Sequence, residues 1–212
     1  VTPLDRLTQS AATDGSRRSA HPLPISFYDR PAEEVARELL GCIIVSTIGD
    51  ALCSGEVVET EAYVGPHDEA CHAHERFGRT RRNSVMFGPP GIAYVYLIYG
   101  MHWCLNAVTG PENYPAAVLI RALKPLDGLD TIRARRPGRP DRDLMRGPGN
   151  LCRALGVSDA ENGLTLLEHP LIFLPGTAYA DEEVVIGPRI GITRAIDWPL
   201  RFSVLGSQYV SR

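Results

Sequence analysis

Apolar positions along the chain follow two kinds of spacing. Pro31-Ala-Glu-Glu-Val-Ala-Arg-Glu-Leu-Leu sets a proline and two glutamates in a first turn. Val35, Leu39 and Leu40 follow at helical spacing, and Gly41 is a stop, which predicts a helix over residues 31–40. Beyond it the pattern shifts to short runs rich in Val, Ile and Tyr over residues 42–48, 55–64, 91–99, 101–108 and 116–123, divided by Gly, Pro, Asn and Asp. These read as strands, mostly antiparallel. Residues 126–135 and 148–155 return to helical spacing, and the Pro-rich Arg-Arg-Pro-Gly-Arg-Pro-Asp-Arg stretch between them continues neither helix. Weaker strands are expected over 184–192 and 200–205. Residues 1–24 are rich in Ser, Thr, Ala and Pro and show no periodicity, so they read as a mobile tail ahead of one mixed α/β (α+β) domain over 25–212.

Composition narrows the class without naming a function. With 44% hydrophobic and 22% charged residues in 212, the chain fits one ordinary globular unit. The longest apolar run, residues 92–99, is too short to cross a bilayer, and the N-terminus lacks the apolar centre of a secretory signal, so a soluble cytoplasmic protein is expected. Cys42, Cys53, Cys71, Cys104 and Cys152 form an odd, irregular set without a CxxC pair, which fits a reducing compartment.

A net charge of −3 argues against nucleic-acid binding when taken globally, but its distribution changes the picture. Arginines at 133, 135, 136, 139, 142, 146 and 153 face only Asp141 and Asp143, while residues 154–188 hold six acids and no Lys or Arg. One region can therefore attract phosphate while the rest keeps the molecule soluble.

Three constellations could carry chemistry. In Glu59-Thr-Glu61-Ala-Tyr63, period-two alternation places both glutamates and the tyrosine on one strand face. A partly buried Glu there would have its pKa raised toward the range of a water-activating base, although a solvated strand face has the same spacing. Downstream, His67, Asp68, Cys71, His72 and His74 offer a metal-ligand alternative, but there is no HExxH motif and no partner cluster elsewhere. The second constellation, Tyr94-Val-Tyr96-Leu-Ile-Tyr99-Gly100, reads as an aromatic strand turning at Tyr99-Gly100. An aromatic at a hairpin tip has little to bury against, unless it wedges between bases. The third is the run Arg76, Arg79, Arg81 and Arg82, which is either a solvated loop or a holder of phosphates.

In order and spacing, Val58-Glu59-Thr60-Glu61-Ala62-Tyr63, Asp68-Glu69-Ala70-Cys71-His72, Arg82-Asn83-Ser84-Val85-Met86-Phe87, Tyr94-Val95-Tyr96-Leu97-Ile98-Tyr99-Gly100-Met101 and Leu119-Ile120-Arg121-Ala122-Leu123 closely resemble the 3-methyladenine (alkyladenine) DNA glycosylase family. The resemblance runs through Gly147-Pro148-Gly149-Asn150-Leu151-Cys152-Arg153-Ala154-Leu155-Gly156 and Pro199-Leu200-Arg201-Phe202, covering roughly residues 25–210. It implies a single α+β domain around a curved, mostly antiparallel sheet with a protruding DNA-inserting β-hairpin. Tyr99 would be the intercalating wedge. Tyr63 would lie on one side of the flipped base and Tyr96 with His72 on the other. Glu61 would hold the attacking water with Arg121 helping to orient it, and Asn106 would disfavour normal guanine. The resemblance also implies a monomer acting on double-stranded DNA with damaged purines. It would need no cofactor or metal and would have no lyase activity, since the matching set contains no lysine nucleophile. Asn150 departs from the family, which more often has lysine there, and Val64 replaces the more usual leucine. Two rivals from other classes are a metal-dependent hydrolase built on the His cluster and a non-catalytic binder of kinked DNA.

Overall fold

The computed structural model describes residues 21–211. Of the expected tail over 1–24, positions 1–20 lie outside the described residues. In chain order the elements are α1 (Ile25–Tyr28), α2 (Ala32–Glu38), β1 (Ile43–Ser46), β2 (Cys53–Tyr63), β3 (Ala93–Ile98), β4 (His102–Thr109), β5 (Ala116–Pro125), α3 (Leu129–Arg135), α4 (Pro148–Leu155), β6 (Leu171–Leu174), β7 (Val184–Gly187) and β8 (Arg201–Val204), with short 3-10 turns between some of them. This is the expected mixed α/β fold around a curled antiparallel sheet, in which every strand pairing is antiparallel.

The sheet runs β3-β4-β5-β2-β1-β6, and β8 and β7 branch from β2. The long strand β2 makes this branching possible. Its first residues pair with β1, Glu59–Glu61 pair with β8, and β5 lines its other edge. Between the two partners the β2–β5 register slips. Val57 faces Leu123, Glu59 faces Ala122 and Thr60 faces Ile120, so Val58 is extra on β2 and Arg121 is extra on β5. Bulges of this kind bend a strand and re-aim a side chain, and here the re-aimed residue is Arg121.

The sheet is held from one face by α2, whose Val35 and Ala36 are fully buried. Thr60, opposite in alternation to Glu59 and Glu61, donates to the Ala36 carbonyl at 2.7 Å. Helix α4 packs its buried Leu151, Cys152, Ala154 and Leu155 into the same main core. A second, smaller cluster of Cys71, Ala73, Met86, Tyr94, Val108 and Ala117 lies under the loop that connects β2 to β3. It forms the floor beneath the aromatic residues of the site.

Several boundaries differ from the sequence expectation for local reasons. The strand expected over 184–192 stops at Gly187, because Pro188 has no N–H for the ladder. The helix expected from 126 starts at Leu129, since Leu126 N–H is engaged by the Ser54 carbonyl at 3.0 Å. Strand β6 was not anticipated from the sequence. Leu-Ile-Phe-Leu is an unalternating run of four between prolines, and it is a strand because β1 supplies the whole ladder.

Candidate active site

Glu61 is the centre of the site and is completely buried. Its Oε1 accepts the backbone N–H of Ile190 at 2.7 Å. Its Oε2 accepts the Tyr63 hydroxyl at 3.1 Å and lies 3.2 Å from Arg121 Nη1. Burial pushes its pKa up, against the Arg121 charge and these two hydrogen bonds, which pull it down. A carboxylate whose pKa is raised by burial is a stronger base than an exposed one.

Arg121 bridges two carboxylates. Its Nε donates to Glu59 Oε1 at 3.2 Å while Nη1 faces Glu61. Glu59 is also fully buried and accepts Arg201 Nε at 2.7 Å and Ser211 N–H at 2.6 Å. Two buried carboxylates on one strand face would repel strongly without the intervening guanidinium. Deleting one partner of such a cluster typically costs about 3–5 kcal/mol.

Above this layer opens a cavity of ≈ 510 Å³ whose lining includes Tyr63, His72, Tyr96, Asn106, Arg121 and Tyr99. Glu61 itself lies just beneath, behind Tyr63 and Arg121. The volume suits one purine-sized ring system. His72 and Tyr96 meet edge-to-face with centroids 4.5 Å apart, and His72 Nδ1 shares a 2.9 Å hydrogen bond with the Tyr94 hydroxyl. The outer edge of His72 faces solvent. Desolvation of its packed side, followed by the nearby Arg82 charge, takes its pKa down to about 4, so the ring is neutral at physiological pH. Asn106 is buried and donates through Nδ2 to the Tyr94 carbonyl at 2.9 Å, which fixes the orientation of its amide at the wall.

A family profile described as methylpurine-DNA glycosylase matches residues 26–208. The chain belongs to the methylpurine-DNA glycosylase family. It is similar to a protein of Myxococcus xanthus, 50% identical over 193 residues, which covers 90% of this chain and 93% of that one. It is also similar to one of Burkholderia lata at 48%, covering 89% and 90% of the two chains, and to one of Carboxydothermus hydrogenoformans at 44%, covering 90% and 98%. Each of the three is assigned as a 3-methyladenine DNA glycosylase. As a member of the methylpurine-DNA glycosylase family the chain is an enzyme of the N-glycosyl hydrolase class, in line with the motif resemblance.

In this methylpurine-DNA glycosylase homologue the sequence-derived residues separate into three groups. Glu61, Tyr63, His72, Tyr96, Asn106 and Arg121 converge at or directly under the cavity. Tyr99 stands at its rim, 79% exposed, in the three-residue loop between the paired Ile98 and His102. Arg76, Arg79, Arg81 and Arg82 are exposed outside the cavity. Arg82 lies over the Tyr96 ring at 5.3 Å and donates to the Leu97 carbonyl, so it braces the hairpin side of the pocket, while Arg79 lies over Phe87 in the loop ahead of β3. The residues behind the metal-ligand alternative have other engagements. Asp68 is paired with Arg189, Cys71 Sγ points to the Pro115 carbonyl, His72 bonds to Tyr94 and His74 accepts Arg76 N–H. Among the described residues no three His, Cys, Asp or Glu gather around a common point.

Sequence reasoning missed the strap over residues 188–194. Arg189 is sealed from solvent and donates to both oxygens of the buried Asp68 at 2.5 and 2.8 Å and to the Ala62 carbonyl at 2.9 Å. Its Cζ sits 4.7 Å from the Tyr63 ring centre. One side chain therefore backs Tyr63 while its neighbour Ile190 delivers an N–H to Glu61. The only hint in the sequence is that Arg189 ends the cation-free stretch 154–188. The rim formed by Gly147, Pro148, Gly149 and Asn150 was also missed. A Cβ at Gly149 would come within 2.9 Å of His102 Cβ, so glycine lets the start of α4 abut the hairpin.

Proposed function

We propose that the enzyme flips an alkylated or deaminated purine out of duplex DNA into this cavity and hydrolyses its N-glycosidic bond with water activated by Glu61. The supporting observation is the buried Glu61 carboxylate held by Arg121, Tyr63 and Ile190 immediately under an aromatic cavity of purine size. Oε1 carries one hydrogen bond and retains a lone pair for a water proton. In the reaction the water oxygen bonds to C1′ and its proton passes to Glu61. The C1′–N bond breaks with its electron pair leaving on the base. A cationic N3- or N7-alkylpurine leaves as a neutral molecule, so one carboxylate suffices where an O-glycosidase generally needs two, whereas a neutral deaminated purine leaves as an anion and takes its proton from water. The Glu61 charge also stabilises the oxocarbenium-like sugar as it develops.

Tyr63 stacks on one face of the base, with Tyr96 and His72 on the other. Neutral His72 accommodates a cationic lesion without charge repulsion. Asn106 discriminates against the guanine 2-amino group, Tyr99 fills the gap left in the duplex, and Arg76, Arg79, Arg81 and Arg82 contact backbone phosphates. The protein works as a monomer without cofactor or metal, and it leaves an intact abasic strand.

The test is single-turnover base release from duplexes carrying 3-methyladenine, hypoxanthine or undamaged adenine, with the wild type, Glu61→Gln and an EDTA-treated sample. Lesion-specific release is expected, lost by about 10²-fold or more in Glu61→Gln, unaffected by EDTA and without strand cleavage. Tight binding with no release from any lesion would leave only a DNA-binding function.

A further inference from the structure

None of the arginines over residues 133–153 belongs to the site proposed above, and the structure divides these seven guanidinium groups unequally. Arg133 is paired with Asp130 and Asp141, and Arg146 with Asp143 and the Val210 carbonyl. Arg142 approaches Asp143 at 3.8 Å, while Arg135 is spent on the carbonyls of Ile48 and Ala154. The side chains of Arg136, Arg139 and Arg153 have no ion pair or hydrogen bond among the described residues. The Nε of Arg136 is sealed from solvent with no acceptor. A buried guanidinium N–H without an acceptor costs free energy, and natural structures rarely leave one without a reason.

Arg139 and Arg153 both lie near Arg136. Burial, followed by the Arg139 and Arg153 charges, pulls the Arg136 pKa below its ordinary value, with Asp143 opposing. Asp143 is already shared between Arg146 and Arg142, so it does not neutralise the group. The position is also informative. Arg153 lies three residues after Asn150 on α4, and residues at that spacing share a helix face with Cβ atoms about 5–6 Å apart. Asn150 lines the rim of the cavity, so the cluster begins one helical turn away from it.

We propose that Arg136, Arg139 and Arg153 form a separate anion site that grips a backbone phosphodiester of the DNA duplex beside the flipped nucleotide. This rests on the reading of the chain as a DNA-acting glycosylase, but it adds a contact region on the α3–α4 side, opposite in sequence to the loop arginines 76–82. Three donors that lack acceptors fit a tetrahedral oxyanion, and guanidinium groups suit phosphate through paired N–H donors.

The experiment compares equilibrium binding of wild type, Arg139→Gln/Arg153→Gln and Arg133→Gln to an undamaged 25-bp duplex across a salt series. Single-turnover base release at saturating enzyme is measured alongside. Arg139 and Arg153 are exposed, so the double variant keeps the fold, and thermal unfolding checks this. If one phosphate contact is lost, binding weakens roughly tenfold near 0.1 M salt and the slope of log K against log salt falls by about 0.9. Arg133→Gln removes a charge already neutralised by aspartates and is expected to leave both unchanged. Release at saturation stays at the wild-type rate, because the cluster does not touch the pocket. Unchanged affinity and slope in the double variant, or an equal loss in Arg133→Gln, overturns the proposal. Failure of base release in the wild type would instead count against the catalytic reading and leave the binding result standing.

Discussion

Asp68 and Glu61 are both fully buried carboxylates, and their partners give them different tasks. Asp68 receives both arms of Arg189 plus the N–H groups of Val64 and Ala70, so its oxygens are saturated and it serves as an anchor. Glu61 shares its guanidinium with Glu59 and keeps capacity for a water. Arg189 connects the two by stacking on Tyr63 and carrying Ile190 to Glu61. Arg189→Lys keeps a charge but loses the forked geometry, so Ile190 N–H should drift from Glu61 Oε1. The Ile190 bond lowers the Glu61 pKa, so its loss raises that pKa further. With Glu61 as the proposed base, release requires its ionised form and therefore rises with pH through this pKa, so the acid limb of the rate profile should move to higher pH. The rate at neutral pH should drop roughly tenfold with little change in affinity for undamaged duplex. His72 is neutral above about 4 and supplies no competing limb there. A pH–rate profile that keeps its wild-type midpoint would show that Arg189 only supports the fold. Strand alternation made Glu61 and Tyr63 legible in the sequence as a shared face, and the motif set extended the site to His72, Tyr96, Asn106 and Arg121. Arg189 stayed hidden because its partners lie more than a hundred residues away and its own neighbours carry no periodic signal.

At the scale of elements, the β3–β4 hairpin shows a local conflict. Tyr99 has φ 53° and Gly100 φ 69°, and the turn is closed by Met101 N–H to the Ile98 carbonyl at 3.2 Å. Two central residues at positive φ match the twist of an antiparallel pair, but for an L-residue other than Gly, Asn or Asp the first position costs roughly 1–2 kcal/mol. The ring gains no burial in return, and Met101 beside it is 70% exposed. Strain without intramolecular compensation points to use against a ligand. Tyr99→Asn should therefore raise stability by about 1 kcal/mol while slowing base release roughly tenfold or more, since in the proposed mode of binding the duplex gap is left unfilled. Calorimetry and single-turnover kinetics on the same sample decide this, and a variant that is both less stable and fully active would refute it. The sequence marked this hairpin well, because an alternating aromatic strand followed by Tyr-Gly has few other solutions. The paired bulges at Val58 and Arg121 were not legible, since they follow from fitting β1 and β8 along one edge of β2 rather than from any run of residues.

Over the whole molecule, the carboxylate layer beneath the cavity is closed by a C-terminal segment. Strand β8 brings Arg201 to Glu59, Ser211 adds its N–H at 2.6 Å and its hydroxyl at 2.9 Å, and Arg121 Nη2 donates to the same hydroxyl at 3.2 Å. Arg146, just ahead of α4, ties down Val210 through its carbonyl at 2.7 Å. Glu59 thus lies under the site with donors from three separate parts of the chain, Arg121, Arg201 and Ser211, which holds Arg121 between the two glutamates instead of letting it collapse onto one. Removing residues 208–212 takes two donors from a buried carboxylate. With about 1.5–3 kcal/mol for each hydrogen bond to a charged group, and incomplete additivity, the loss should be roughly 3 kcal/mol. At about 2–4 °C per kcal/mol for a chain of this size, the midpoint of thermal unfolding should fall by roughly 6–12 °C. The aromatic cavity is untouched, so the ratio of release rates between 3-methyladenine and hypoxanthine should hold even as both rates decline with the freed Arg121. A shortened protein that melts with the wild type would mean that Arg201 and Arg121 alone satisfy Glu59, whereas a changed lesion ratio would mean that the C-terminal segment shapes the pocket itself and not only the layer beneath it.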